Sequence, residues 1–293
     1  MPKSDRIAGL RPAYADAVCK AANVGHEPVR RAFAAVPREA FLGPGPWTMF
    51  GPDLKNFQTP DADPAHIYRD KVVSLVPEKL LNNGQPSYWA MVFDRLKPRA
   101  GERVIYVGAG TGYYTALLAE MVGAGGAVTG IEYEADLAAK ARANLKPWPN
   151  VEILAGDSMT LAKGAADIVV ASCGVDQVPV GWVRLLNDSG RLLVPLTCTM
   201  AEWSGGGWGA NLLATRDGAR FSAALVGRVG IYHCMSARSE AAGARLKMAF
   251  ASIHGAASGE RTSVQIALLR LGGEPNETCW LAGDGWWLST AAA

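Results

Sequence analysis

Arg103-Val104-Ile105-Tyr106-Val107-Gly108-Ala109-Gly110-Thr111-Gly112 is a short apolar, β-branched run that breaks into three glycines spaced two apart. The run predicts a strand, and Tyr113 to Met121 (YYTALLAEM), rich in helix formers with apolar residues at helical spacing, predicts the helix that follows. The glycines therefore fall where a strand hands over to a helix N-terminus. Glycine permits positive φ and lets a bulky ligand touch bare backbone, so this junction reads as a cofactor cradle.

A dinucleotide loop has the pattern G-x-G-x-x-G, but here the third glycine comes one residue early, at Gly112, and Tyr113 stands in the expected place. That argues against NAD. Gly108-x-Gly110-x-Gly112 instead resembles motif I of the class I S-adenosylmethionine-dependent methyltransferases, whose loop passes beneath the amino-acid half of the cofactor. Val128 to Glu132 is a second strand-like run, ending in a carboxylate able to accept hydrogen bonds from both ribose hydroxyls. Val151 to Asp157 is a third, and its Gly156-Asp157 end resembles the segment that meets the adenine amino group in those enzymes. The resemblance assigns Gln85, Gly108, Ala109, Gly110, Gly112, Glu132, Tyr133, Gly156, Asp157, Ser158 and Ser172 to binding S-adenosyl-L-methionine, with S-adenosyl-L-homocysteine as product.

The chain has 293 residues, 49% of them hydrophobic, which is ample for a core. A net charge of +2 and 19% charged residues make no electrostatic case for nucleic acid. Five scattered cysteines without CxxC spacing suggest reduced thiols in a cytoplasmic protein, and the four histidines show no metal-ligand spacing, so no metal is expected. The opening MPKSDRIAGL lacks an apolar signal core, and no apolar run approaches the roughly 20 residues that span a bilayer. A soluble cytoplasmic protein without membrane contact is expected; composition does not address its oligomeric state.

Along the chain, Arg11 to Ala35 suits one or two helices, and Gly43 to Pro64 reads as a long loop dense in Pro, Gly and Asp. Ser87 to Leu96 is a further helix. Ala166 to Ser172 and Arg191 to Leu196 are a fourth and fifth strand, with Val180 to Leu186 as a crossover helix between them. Alternating strands and helices predict an α/β fold: a doubly wound, mostly parallel, Rossmann-like sheet with N-terminal helices and a C-terminal α+β extension. Asn211 to Thr215 and Ala219 to His233 read as strands, Gly205 to Gly207 as a turn, Glu240 to Phe250 as a helix, and Val264 to Leu271 as a strand. Trp280, Trp286 and Trp287 near the end read either as a folded-back edge strand that closes the core or as part of a different acceptor pocket. The expected organisation is a helical and substrate-loop region (1–98), a cofactor domain (99–235) and an extension (236–293).

Val36-Pro37-Arg38-Glu39-x-Phe41, Tyr68-x-Asp70, Gly84-Gln85-Pro86, the glycine loop, Gly156-Asp157, Ala166-Asp167-Ile168 and Gly190-Arg191-Leu192-Leu193-Val194-Pro195 follow one another in an order that resembles the protein L-isoaspartate O-methyltransferases. The resemblance covers roughly residues 28 to 235 and implies repair methylation of damaged aspartyl residues in proteins or peptides. That family places a serine against substrate and cofactor in a Thr-Ile-Ser-Gln-Pro segment; here Asn82-Asn83-Gly84-Gln85-Pro86 puts glycine at the serine position. Ser87, Asn82 or Asn83 are the substitutes at hand.

Methyl transfer from a sulfonium is an in-line displacement, which asks the protein to align the acceptor and exclude water. A carboxylate acceptor, ionised at neutral pH, needs no base. Asp70 is the base candidate for an alcohol or amine acceptor, with a structural turn aspartate as its other reading; Asp70 and Asn83 are the catalytic candidates. Tyr113 and Tyr114 either line the cofactor or pack inward. Two other readings stand beside isoaspartyl repair: a specialised methyltransferase for a small metabolite or another peptide, and a non-catalytic S-adenosylmethionine-binding module.

Overall fold

In the computed structural model, residues 3–50, 56–201, 203–254 and 265–290 are described. The chain divides into two compact units, residues 1–104 with 109–156, and residues 105–108 with 157–293.

The first unit opens with α1 (Lys3–Ala22) and α2 (Glu27–Ala35), two helices where the sequence allowed one or two. In α2, Val29, Ala32 and Phe33 are buried at helical spacing, the mark of an amphipathic helix facing a core. The tract read as a loop is one only in part. It carries a hairpin, β1 (Thr48–Phe50) and β2 (Asn56–Gln58), because Trp47 and Met49 bury against Leu42, Ile67 and Val73. The Gly and Pro content hid a small hydrophobic core that depends on partners distant in sequence. Short strands β3 (Ser74–Val76) and β4 (Leu81–Asn82) pair antiparallel and lead into α3 (Pro86–Leu96).

Strand β5 (Arg103–Val107) is divided between the units; α4 (Tyr113–Val122), β6 (Ala127–Glu132), α5 (Ala135–Asn144) and β7 (Val151–Ala155) complete the first. Strand order there is β5-β6-β7, with β6 and β7 parallel. Nearly every residue of α4 is buried, Tyr113 and Tyr114 included, so both tyrosines pack inward. Tyr113 sits edge-on to Phe33, and Tyr114 stacks on Trp89 with ring centroids 4.8 Å apart.

The second unit holds α6 (Ser158–Leu161), β8 (Ala166–Ala171), α7 (Val180–Val183), β9 (Leu186–Met200), β10 (Trp203–Asp217), β11 (Arg220–Tyr232), α8 (Glu240–His254), β12 (Ile266–Leu271), β13 (Cys279–Gly283) and β14 (Trp286–Thr290). Strand order is β13-β14-β12-β11-β10-β9-β8-β5. β8 and β9 are parallel, whereas β9 onward pairs antiparallel, which is how the C-terminal part extends the α/β sheet. The crossover helix expected over Val180 to Leu186 shrinks to the single turn of α7, since β9 already begins at Leu186.

Gly205 to Gly207 is likewise not a turn but part of β10. A side chain at Gly207 or Gly209 would overlap the backbone carbonyls of Cys198 or Leu196, so these glycines allow close strand approach. The tail follows the edge-strand reading. Trp286 and Trp287 are buried on β14, and β13 forms the outer strand, with Trp280 Nε1 donating to Ala249 O of α8 at 3.0 Å. Among the described residues no helix is long and apolar enough to cross a membrane.

Candidate functional site

In the first unit the glycine loop turns through positive φ at Gly110 (57°) and Gly112 (98°), conformations that residues with a Cβ rarely adopt. A Cβ on Gly112 would also lie 2.7 Å from Leu145. The loop is pinned from the end of β6: Glu132 Oε2 accepts from Gly110 N at 2.6 Å and Oε1 from Glu134 N at 2.9 Å. Glu132 is only 6% exposed. Burial raises its pKa above the ordinary 4.5, and the backbone amides of Glu134 and Gly110 pull part of that back. The backbone amide of Tyr133 bonds the same carboxylate, so of its about four lone-pair positions one remains open. Tyr133 beside it is exposed. Gly156 N donates to Glu132 O at 2.8 Å, tying the Gly-Asp segment to the same strand end.

In the second unit, Gly108 has φ 82°, and a Cβ there would overlap Ser172 Oγ. That oxygen lies 2.5 Å from Gly108 O, so Ser172 braces the start of the loop. Asp157 caps α6 by accepting from Met159 N at 2.8 Å, and its Oδ1 also accepts from Ser236 Oγ at 2.5 Å. Ser158 is buried, and its carbonyl accepts from Trp182 Nε1 at 3.3 Å.

The substrate-side candidates all belong to the first unit. Asp70 Oδ1 accepts from Ser87 N at 2.8 Å and Oδ2 from Gln85 Nε2 at 3.1 Å, so the carboxylate anchors the start of α3. Asn83 is 8% exposed; its Oδ1 accepts from Val73 N at 2.8 Å, and its buried Nδ2 has no partner among the described residues. Gly84 adopts φ 74°, and a Cβ there would stand 2.7 Å from Trp89 Nε1. Tyr114, stacked on Trp89, donates its hydroxyl to Gly84 O at 3.1 Å. The volume beside the missing serine side chain is thus taken by indole. A glycine with a tryptophan one helical turn beyond Gln-Pro was the signal for this replacement, and it was not legible without the fold.

Gly84→Ser is therefore expected to destabilise the protein by about 1–3 kcal/mol, the range for a side chain forced into a left-handed backbone position, with no gain in activity. Thermal unfolding of Gly84→Ser beside Gly84→Ala checks it. Equal losses in both point to the Cβ, and a stable, more active serine variant contradicts the reading.

Arg38 enters the sequence reading only as part of the Val36-Pro37-Arg38-Glu39 motif, without a role; its guanidinium, wholly buried, donates to Ile67 O (2.5 Å), Arg69 O (2.7 Å) and Lys71 O (2.7 Å). It shapes the segment that carries Asp70. Among the described residues no three His, Cys, Asp or Glu side chains gather as metal ligands do.

The sequence model of the protein-L-isoaspartate(D-aspartate) O-methyltransferase family matches residues 15–202, more than half of the chain. The chain belongs to this family. A protein-L-isoaspartate O-methyltransferase of Pyrobaculum neutrophilum is 30% identical over 181 residues, covering 60% of this chain and 78% of that protein. One from Thermotoga maritima is 27% identical over 180 residues, covering 59% of this chain but only 52% of that protein, so the chain spans about half the length of that relative. Among solved structures, a protein-L-isoaspartate O-methyltransferase superposes with a TM-score of 0.61 at 19% identity, over 96% of this chain and 88% of that one. A Plasmodium falciparum structure described as a beta-aspartate methyltransferase in complex with S-adenosyl-L-homocysteine gives 0.58 at 16% identity, over 76% and 97%. These two likenesses bear on the fold, a class I methyltransferase fold with extra C-terminal strands. The isoaspartyl methyltransferase family match ends at residue 202, before β11, α8 and the tryptophan hairpin.

Proposed function

We propose that this protein is an S-adenosylmethionine-dependent O-methyltransferase that methylates a carboxylate of a protein or peptide, the isoaspartyl side chain in the first place. The observation that carries this is the Glu132 carboxylate, buried at a strand end, clamped to the glycine loop, and left with a lone pair for a ribose hydroxyl. Gly110, Gly112 and Glu132 of the first unit fit the cofactor by their bare backbone and buried carboxylate; the family resemblance adds Gly108, Asp157, Ser158 and Ser172, with Gln85, Ala109, Tyr133 and Gly156. When bound, S-adenosylmethionine supplies an electrophilic methyl group on a sulfonium.

The chain's own part is to hold and to exclude. Glu132 grips the ribose, while bare backbone at the glycines leaves room for the amino-acid half. An acceptor carboxylate is already ionised at neutral pH and needs no base. That suits Asp70, whose two oxygens are committed to Ser87 N and Gln85 Nε2; we assign it the positioning of α3 rather than proton transfer. Asn83 Nδ2, a buried donor lacking a partner among the described residues, is the proposed hydrogen bond to the acceptor carboxylate, the task the family gives to the serine hydroxyl.

Gly84 favours a second reading, a methyltransferase of the same chemistry whose acceptor is another peptide or a small metabolite. Labelled S-adenosylmethionine offered with an isoaspartyl peptide and its aspartyl twin separates the two. Preferential labelling of the isoaspartyl peptide is expected; labelling of neither, with turnover on another acceptor, establishes the second reading.

A further inference from the structure

Between β11 and α8, within the second unit, the chain runs through residues 233–239, a segment beyond the isoaspartyl methyltransferase family match, which ends at residue 202. The segment is anchored on both sides of Ser236. Before it, Cys234 is buried and donates its N–H to Gly174 O at 2.9 Å. After it, Ala237 is buried, and Ser239 N donates to the buried Asp176 Oδ2 at 2.9 Å. The Arg238 guanidinium donates to Gly174 O and Thr197 Oγ1, both at 3.0 Å, and to Thr197 O at 2.8 Å. Held between these anchors, the Ser236 hydroxyl donates to Asp157 Oδ1 at 2.5 Å. It does so without the ordering cost that a free loop would carry.

That bond decides which oxygen of Asp157 is left over. Oδ1 also accepts from Met159 N at 2.8 Å, and each carboxylate oxygen has about two lone-pair positions, so Oδ1 is taken up by its two donors. Asp157 is half-buried, and no hydrogen bond from the described residues reaches Oδ2. An ionised carboxylate oxygen can only accept. Oδ2 therefore suits a base that presents a donor, such as the exocyclic amino group of adenine, and rejects one that presents an oxygen there, such as hypoxanthine.

We propose that Ser236 is a positioning residue for the base of the cofactor: by occupying Oδ1 it leaves Asp157 Oδ2 as the acceptor and makes the site select adenine. This role rests on the assignment of Asp157 to the cofactor, and it gives the segment between β11 and α8 a part in donor specificity. Without the hydroxyl, Oδ1 regains a free lone pair, the carboxylate is held by Met159 N alone, and the distinction between its two oxygens weakens.

Calorimetric titration of the full chain with S-adenosyl-L-homocysteine and with S-inosyl-L-homocysteine, in which an oxygen replaces the amino group, tests this. The parent is expected to prefer the adenosyl compound by about tenfold or more. Ser236 is exposed, so its replacement spares the core, and thermal unfolding verifies that each variant is folded. Ser236→Ala is expected to cut the preference by about threefold or more, and Ser236→Thr, which keeps the hydroxyl, to restore it. A merely structural loss would weaken both compounds alike and leave their ratio unchanged. Asp157→Asn tests the underlying assignment. Met159 N and Ser236 Oγ both call for an oxygen at the Oδ1 position, so the amide NH2 takes the place of Oδ2 and the preference is expected to invert toward the inosyl compound. A parent-like ratio in Asp157→Asn removes Asp157 from the cofactor site, and the role of Ser236 with it. A lost or inverted preference there, beside a parent-like ratio in Ser236→Ala or an alanine-like one in Ser236→Thr, keeps Asp157 in the site and overturns the role of Ser236 alone.

Discussion

Glu132→Gln is expected to weaken S-adenosyl-L-homocysteine binding by roughly tenfold or more, since a charge-assisted hydrogen bond to a ribose hydroxyl is worth about 1.5–3 kcal/mol. The substitution keeps the side-chain length and removes the charge. It also sets an NH2 group against either Gly110 N or Glu134 N, the two amides that the carboxylate now accepts from, so the glycine loop loses one of its pins as well. Calorimetric titration with S-adenosyl-L-homocysteine measures the loss, and an affinity within about threefold of the parent would remove Glu132 from the cofactor site. Acid should reproduce the effect. Because burial raises the Glu132 pKa above 4.5, cofactor affinity falls on acidification at a higher pH than an ordinary carboxylate would cause. Folding stability runs the other way. A raised native pKa means that protonation favours the folded state, a contribution present below 4.5 and lost as pH rises through the native value.

Arg38→Ala is expected to cost about 3–5 kcal/mol of stability, because it leaves the carbonyls of Ile67, Arg69 and Lys71 buried or half-buried without donors, at about 1–3 kcal/mol each. The guanidinium also lies 5.7 Å from the centroid of Tyr14 and 5.9 Å from that of Tyr113, so its removal opens space between two buried rings. In a protein of this size the loss corresponds to a fall in Tm of about 10 °C, measurable by thermal unfolding. Arg38→Lys separates charge from geometry. Lysine keeps the charge but lacks the planar fork that reaches three carbonyls at once, so it should fall between the parent and alanine. Both variants loosen the segment bearing Asp70, and with it the Ser87 and Gln85 contacts at the start of α3. A Tm unchanged within about 2 °C in Arg38→Ala would show that water replaces the guanidinium freely.

The strand-turn-helix framework around the glycine loop was legible from the residues because each piece is local. The strand into the glycines, Glu132 at the end of the next strand and Gly156-Asp157 at the end of another rest on nearest neighbours in sequence, and local periodicity reports local structure. The hairpin at β1 and β2 was not legible, since Trp47 and Met49 find their core in Ile67 and Val73, residues outside any local window. Gly205 to Gly207 misled for a related reason. Glycine signals a turn when read alone, but here it answers the approach of the β9 backbone.

Acceptor recognition divides along the same line. From the residues alone, Gly84 meant only an absent hydroxyl. Trp89 and Tyr114, which fill its place, Asn83 with an unspent Nδ2, and Arg38 holding three carbonyls emerged only from contacts between segments far apart in sequence. The sequence by itself determined the α/β fold class, because strand-turn-helix periodicity is set by adjacent residues, and the resemblance of its glycine loop and strand-end acids to methyltransferase motifs implied the methyl donor. Only the tertiary structure decided how the acceptor side is built, because side-chain volume, burial and unmet hydrogen bonds exist only once distant segments pack together.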